Sequence, residues 1–192
     1  GSFLESIGIL SKILNVRGDI IPATTQVITL FARMADGTIV RGESNIPNIN
    51  NRIDTVFYQE TVKASEKAVR AIREADVIIY GIGSIFTSIL PNLIIPEIAE
   101  AIRQSHAYGV YLCNAMSQPG ETDDFTMEDH VDALIRHGAK INEVLVAQDS
   151  IPDAILTRYA KEGGRPVRIV QEEHAYQVTP VPLLDFSDDL VR

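Results

Sequence analysis

Two glycines alternate at Gly81-Ile82-Gly83, and the hydroxyls of Ser84, Thr87 and Ser88 follow within five residues. Glycine lets a backbone turn sharply and approach a ligand closely. Successive N–H groups in such a turn can cradle an anion, and the hydroxyls add donors. The chemistry this points to is phosphate or diphosphate binding. No Gly-Lys-Ser/Thr follows, so this is not a Walker A loop, and it is not the full dinucleotide fingerprint. The pattern leaves a second reading open: a tight strand-to-helix turn with no ligand.

A second polar stretch runs from Asn114 to Asp124. Pro119-Gly120 sets a turn there. Asn114, Ser117, Gln118 and Thr122 offer hydrogen bonds. Glu121 and Asp123 have the chemistry to hold Mg²⁺ beside a phosphate or to act as a base; the favoured alternative is a solvated acidic loop that caps the next helix. His130 and His137 lie seven apart on one helix face, whereas helical metal ligands are usually three or four apart. They read as surface or capping histidines. His106 and His174 have no evident partner. Cys113 ends an apolar strand and reads as a buried small hydrophobe. Tyr159, next to Arg158, can cover a nucleotide base or form part of an exposed helical pair. Arg192 can reach a phosphate or be a frayed end.

These residues need elements to hold them. Phe3, Leu4, Ile7, Leu10, Ile13 and Leu14 are spaced as on an amphipathic helix. Gln26 to Arg33 and Thr38 to Glu43 read as strands, and Asp36-Gly37 between them predicts a hairpin with a tight primed turn. Pro47 to Arg52 reads as loop and Thr55 to Tyr58 as a short strand. Then helices and strands alternate. Helices are expected at Ala64–Ala75, Pro96–Ser105, Thr126–His137 and Pro152–Lys161, the third with Thr126 and Asp129 as a capping box. Strands are expected at Val77–Tyr80, Val110–Cys113 and Glu143–Ala147, with late candidates at Arg165–Val170 and Ala175–Val178. The continuous apolar run Val77–Tyr80 suits a strand buried on both faces. The order predicts a mostly parallel α/β sheet with an antiparallel hairpin excursion. Ligands of such sheets collect at the carboxyl ends of the strands, where both polar loops emerge.

The 192 residues suit one α/β domain or most of one. The net charge is −9 and the pI about 4.9. That field opposes nucleic acid and anionic membranes as general partners. A phosphorylated ligand must rely on local N–H groups and a few placed cations. A single cysteine excludes an intramolecular disulfide and fits the cytoplasm. No apolar stretch reaches the ~18–20 residues of a membrane span. The chain opens on Gly1-Ser2 without Met, as a cloning scar or a piece of a longer protein would. The apolar segment Leu93-Ile94-Ile95 suggests an exposed patch and a homodimer.

The run Ala75-Asp76-Val77-Ile78-Ile79-Tyr80-Gly81-Ile82-Gly83-Ser84-Ile85-Phe86-Thr87-Ser88-Ile89-Leu90-Pro91-Asn92-Leu93 resembles the central motif of the YvcK/CofD-like family. Cys113 to Asp123, continuing to Asp129-His130-Val131, resembles its second motif. Arg17 to Thr24 and Asp36-Gly37 to Gly42-Glu43-Ser44 fit the segment before. The resemblance covers most of the chain. It departs at Ile82, where the family usually has Pro, and at Ser117, often Thr. The family's opening strand, its Gly-Gly-Gly-Thr-Gly loop and its Asp-Asp-Gly-Gly segment have no counterpart here. The resemblance therefore implies the C-terminal two-thirds of a single Rossmann-like, three-layer α/β domain that binds a nucleotide diphosphate.

One branch of that family is similar to a UDP-sugar-binding regulator of carbon metabolism, gluconeogenesis and cell shape. The other moves a phospholactyl group from a guanosine diphosphate adduct to a deazaflavin with Mg²⁺. The motifs here are closer to the regulator branch, which has no established catalytic reaction. By the resemblance Gly81, Gly83, Ser84, Thr87 and Ser88 would meet the diphosphate, with Asn114 and Gln118 beside it. Tyr159 would serve the nucleotide end and Arg192 the phosphates.

Overall fold

A computed structural model describes residues 17–49, 51–81 and 83–184. The helix expected at Phe3–Leu14, Ile82 and Arg192 lie outside the described residues. Two sheets organise the rest. Strands β1 (Phe31–Met34), β2 (Ile39–Arg41) and β3 (Ile53–Phe57) form an antiparallel sheet in the order β2-β1-β3. Strands β4 (Val77–Tyr80), β5 (Tyr108–Leu112), β6 (Glu143–Ala147) and β7 (Gln177–Val181) form a parallel sheet in sequence order. Helices α1 (Glu66–Glu74), α2 (Leu90–Leu93), α3 (Pro96–Gln104), α4 (Met127–Arg136) and α5 (Asp153–Lys161) accompany them. The α/β, Rossmann-like expectation with an antiparallel excursion holds, and the excursion is a complete three-stranded sheet.

Local chemistry explains most boundaries. Ser65 accepts from the Ala68 N–H at 3.2 Å and caps α1. The capping box at α4 is present, with Thr126 and Asp129 each serving the other's backbone N–H. Pro96 starts α3, where a missing N–H costs nothing. The β1–β2 hairpin forms, but its turn is not the expected primed one. Only Gly37 has positive φ (+88°). Met34 N–H donates to the Thr38 carbonyl and Gly37 N–H to the Met34 carbonyl. A wider turn ending on a left-handed glycine achieves the same reversal.

Three strand expectations change. Arg165–Val170 is not a strand: it makes a single bridge, Met116 to Pro166. Pro166 has no N–H with which to extend a ladder. The late strand begins at Gln177 and runs to Val181; its Pro180 is tolerated because β7 is the outer strand of the sheet. Strand β4 is also an outer strand and is not buried on both faces. Val77 is 50% exposed and Ile79 61%. Successive residues of a strand point to opposite faces, and Tyr80, Tyr111 and Val144, in register across β4, β5 and β6, are buried on the other face.

The core between the two sheets is filled by Phe86, Leu90, Leu93, Ile95, Leu134 and their neighbours. Leu93 and Ile95 are 4% and 1% exposed, so Leu93-Ile94-Ile95 is a core segment and not the exposed patch expected of it. Of the surface or capping roles expected for His130 and His137, His137 does cap the C-terminus of α4, whereas His130 is no surface group. His130 is buried against the Phe125 ring with Nδ1 on the Thr126 carbonyl, 2.8 Å away. His137 Nδ1 meets the Ala133 carbonyl at 2.7 Å, and Nε2 meets the Thr55 hydroxyl at 3.2 Å. It thereby ties β3 to α4. Burial lowers the pKa of both rings.

Candidate diphosphate site

Strand β4 ends at Tyr80, and the glycines follow at the carboxyl edge of the parallel sheet. Ser84 then opens a single turn of π-helix, Ile85–Ile89, which runs directly into α2. The Ser84 carbonyl accepts from both the Ser88 and the Ile89 N–H, each at 3.0 Å. Such wide turns concentrate at functional sites. Gly83 packs against this turn: a Cβ on it would lie 3.1 Å from the Ser88 Cβ. A Cβ on Gly81 would meet nothing within 4 Å. No described residue accepts from the N–H of Gly83 or Ser84. These two donors are therefore available at the strand end.

The second loop leaves β5 beside the first. Asn114 reaches across it, its Nδ2 donating to the Gly83 carbonyl at 3.3 Å while its Oδ1 accepts from the Tyr111 hydroxyl at 2.8 Å. Gln118 Oε1 accepts from the Ser84 hydroxyl at 2.5 Å. Gly83, Ser84, Asn114 and Gln118 are thus linked in two hydrogen-bonded pairs between the loops. Thr87 and Ser88 belong to the same turn but look toward its other side.

The solvated loop expected around Glu121 is not what forms there. Glu121 is 3% exposed and lies beneath the π-turn. Its Oε1 accepts from the Thr87 hydroxyl at 2.7 Å and from Gln118 Nε2 at 3.0 Å, while Oε2 accepts from the Phe86 N–H at 3.2 Å. Burial pushes its pKa up, and the bonds from Thr87 and Phe86 pull part of that back. The Ser84 and Thr87 hydroxyl hydrogens are committed to Gln118 and Glu121. They position the turn; a bound phosphate would meet their oxygens or the backbone donors. Only tertiary packing gives Glu121 this role. Asp123 accepts from the Gly120 N–H at 2.7 Å and closes the loop locally. Among the described residues no three His, Cys, Asp or Glu groups are placed to hold a metal ion.

Gly120 fixes where this loop sits. Its φ is +80°, and a Cβ there would lie 1.9 Å from the Pro47 carbonyl oxygen. The close approach joins the loop to the short 3₁₀ helix Glu43–Asn48. Gly120→Ala is expected to destabilise the fold by about 3 kcal/mol or more, from left-handed strain plus the backbone clash. Urea unfolding followed by circular dichroism measures it.

A cavity of about 420 Å³ opens beside Asn114 and Gln118 and is walled by Leu112, Ala115, Tyr159 and Leu184. Tyr159 projects from α5, and Gly164 returns against its ring: a Cβ on Gly164 would be 3.3 Å from Tyr159 Cδ1. Helix α5 thus brings Tyr159 to the same edge as the two loops. Cys113 borders this cavity, is buried, and has its thiol pushed up to about 12 by that burial. It behaves as the small hydrophobe expected. His174 does have a partner: its Nε2 lies 3.0 Å from Glu128 Oε1.

The sequence model of the 2-phospho-L-lactate transferase CofD family matches residues 1–184. The chain belongs to the CofD family. It is similar to a gluconeogenesis factor of Halalkalibacterium halodurans, with 45% identity across all of this chain and 62% of that protein. It is likewise similar to the gluconeogenesis factor of Bacillus subtilis, at 41% identity over the same shares. The crystal structure of a UPF0052 family member from Bacillus halodurans superposes with a TM-score of 0.93 and 41% identity, covering 99% of this chain and 63% of that one. This member of the CofD family therefore spans about 62% of the length of the curated relatives it matches.

Proposed function

We propose that this CofD-family chain contributes the diphosphate site of a nucleotide-sugar-binding regulator of carbon metabolism, with a UDP-sugar as ligand. The observation that carries the reading is the pair of N–H groups at Gly83 and Ser84 that no described residue accepts from, at a strand end organised by Glu121, Gln118 and Asn114. The kinship with gluconeogenesis factors supports the metabolic role. In this reading the diphosphate lies on the Gly81–Ser84 turn, with Ser88 at its far end. The base lies in the cavity walled by Tyr159, and Arg192 joins from the end of the chain. The protein acts in the cytoplasm as a homodimer, and its effect on cell shape follows from ligand occupancy. No single helix among the described residues is long and apolar enough to cross a membrane.

A ring stacked on a base contributes about 1–3 kcal/mol. Tyr159→Ala is therefore expected to weaken binding of UDP about tenfold or more, with the unfolding midpoint little changed. Isothermal titration calorimetry measures it. Unchanged affinity in that variant would remove the base from this cavity.

The family match supports a second reading, a phosphotransferase acting on a nucleotide-diphosphate donor with Mg²⁺. Among the described residues no three His, Cys, Asp or Glu groups come together, so in this reading Mg²⁺ is held by one or two carboxylates together with the phosphates of the donor. Assay of the whole protein for transfer of the phospholactyl group to a deazaflavin decides it. Turnover that depends on Mg²⁺ supports the transferase, and a protein that binds UDP-glucose without turnover supports the regulator.

A further inference from the structure

Residues 164–174 lie between α5 and β7 and form neither helix nor strand. Ordering such a stretch costs conformational entropy, which its anchors must offset. Those anchors fall in two groups. At the near end the stretch pairs with the second loop. The Ser117 N–H donates to the Arg165 carbonyl at 2.7 Å, the Arg165 N–H to the Ser117 hydroxyl at 3.0 Å, and the Val167 N–H to the Ala115 carbonyl at 3.0 Å. At the far end it is fixed to the start of α4. The Met127 N–H donates to the Arg168 carbonyl at 2.8 Å, and Glu128 Oε1 gathers the Val170 and Gln171 N–H groups and His174 Nε2. The Glu128 and His174 side chains are each 7% exposed, so water competes little for their bond.

The near end shapes the candidate site. Gly164 lies between the second loop and α5. Its N–H donates to the Tyr159 carbonyl at 2.9 Å, and a Cβ on it would be 3.3 Å from both the Ser117 carbonyl oxygen and Tyr159 Cδ1. It therefore sets how closely the Tyr159 ring approaches the loop. Ser117 is held through both its N–H and its hydroxyl, and the next residue, Gln118, carries the bond to the Ser84 hydroxyl.

We propose that residues 164–174 are a positioning strap for the nucleotide site and that Glu128 with His174 is its latch, so that two side chains outside the Tyr159 cavity set the placement of Tyr159 and Gln118. The inference rests on the nucleotide reading of that cavity. With the latch released, the strap keeps only the Met127 bond and its pairing with Ala115 and Ser117, and segments with few anchors open locally. Gly164 and Ser117 then lose their fixed spacing, and the Tyr159 ring and Gln118 lose theirs.

The test is calorimetric titration with UDP of the wild type, His174→Leu, His174→Gln and Gly164→Ala, with thermal unfolding of each to show that it is folded. His174→Leu removes a donor from Glu128 and is expected to weaken UDP binding about fivefold or more. It is also expected to shift the Ser117 and Gln118 amides in ¹H–¹⁵N spectra, which a loss of stability alone does not move. His174→Gln offers an NH₂ group to the same oxygen and is expected to recover most of the loss. Gly164→Ala keeps every anchor but parts Tyr159 from Ser117, and its backbone is not left-handed, so it is expected to fold and to bind UDP more weakly. A folded His174→Leu protein with wild-type affinity overturns the latch, as does an equal loss in His174→Gln. If His174→Leu does not fold, Gly164→Ala decides, and wild-type affinity there overturns the strap. A wild type that binds no UDP overturns the nucleotide reading and the strap's role with it.

Discussion

Glu121→Ala is expected to cost about 3 kcal/mol of stability and to abolish diphosphate binding. The side chain is buried and gathers three donors under the π-turn. Removing it leaves the Phe86 N–H without a partner in the core, and an unsatisfied buried donor costs about 1–3 kcal/mol. The Thr87 hydroxyl and Gln118 lose their common anchor as well. Gln118 in turn holds Ser84, so the effect reaches the two free N–H groups directly. Glu121→Gln keeps the shape but presents an NH₂ group to a set of donors, and is expected to fall between wild type and alanine. Urea unfolding measures the stability, and titration with UDP the binding. Full UDP affinity in a folded Glu121→Ala protein would show that the turn needs no carboxylate beneath it.

Glu128→Gln is expected to cost about 3 kcal/mol at neutral pH, an effect that fades in acid. Glu128 is 5% exposed, and its Oε1 accepts from the Val170 N–H, the Gln171 N–H and His174 Nε2, each at 3.0 Å. Burial alone would raise its pKa. The bonds from Gln171, His174 and Val170 outweigh burial and bring it from 4.5 to about 2. A carboxyl depressed in the folded state stabilises it fully above the unfolded value. That stabilisation is lost as pH falls from about 4.5 through about 2. A shift of that size is worth about 3 kcal/mol. The difference in unfolding free energy between wild type and Glu128→Gln should therefore shrink across that window. A difference constant from pH 7 to pH 2 would assign the loss to packing instead. The segment Glu128 fastens also carries Pro166, Val167 and Ile169 past Cys113 and Asn114, so its release would loosen a wall beside the candidate site.

The elements that position the site were legible because their signals are local. Four apolar residues before Gly81 fixed β4, and a Thr and an Asp three apart fixed the start of α4. The two loops could be placed together because parallel strands put both exits on one edge. What was hidden depends on distant partners. The π-turn has no propensity signature of its own and exists because Phe86 and Leu90 bury themselves between the sheets while Glu121 takes the Phe86 N–H. Glu121 and Glu128 look like ordinary surface acids in sequence; each is buried where donors converge on it, the Phe86 N–H, the Thr87 hydroxyl and Gln118 on the first, the Val170 and Gln171 N–H groups and His174 on the second. The segment Arg165–Val170 has strand composition, yet its carbonyls and N–H groups pair with Ala115, Ser117 and Met127 and with the Glu128 carboxylate. Exposure at Val77 and Ile79 was equally hidden, since an apolar run does not say how many of its faces meet other elements.

The most direct test of the account follows backbone amides by ¹H–¹⁵N correlation spectroscopy while UDP is added to the chain. The largest shifts are expected at Gly83 and Ser84, smaller ones at Asn114 and Gln118, and all of them saturating with one affinity. Saturable shifts confined to other parts of the molecule, or no shift at millimolar UDP, would contradict a diphosphate site at the end of β4.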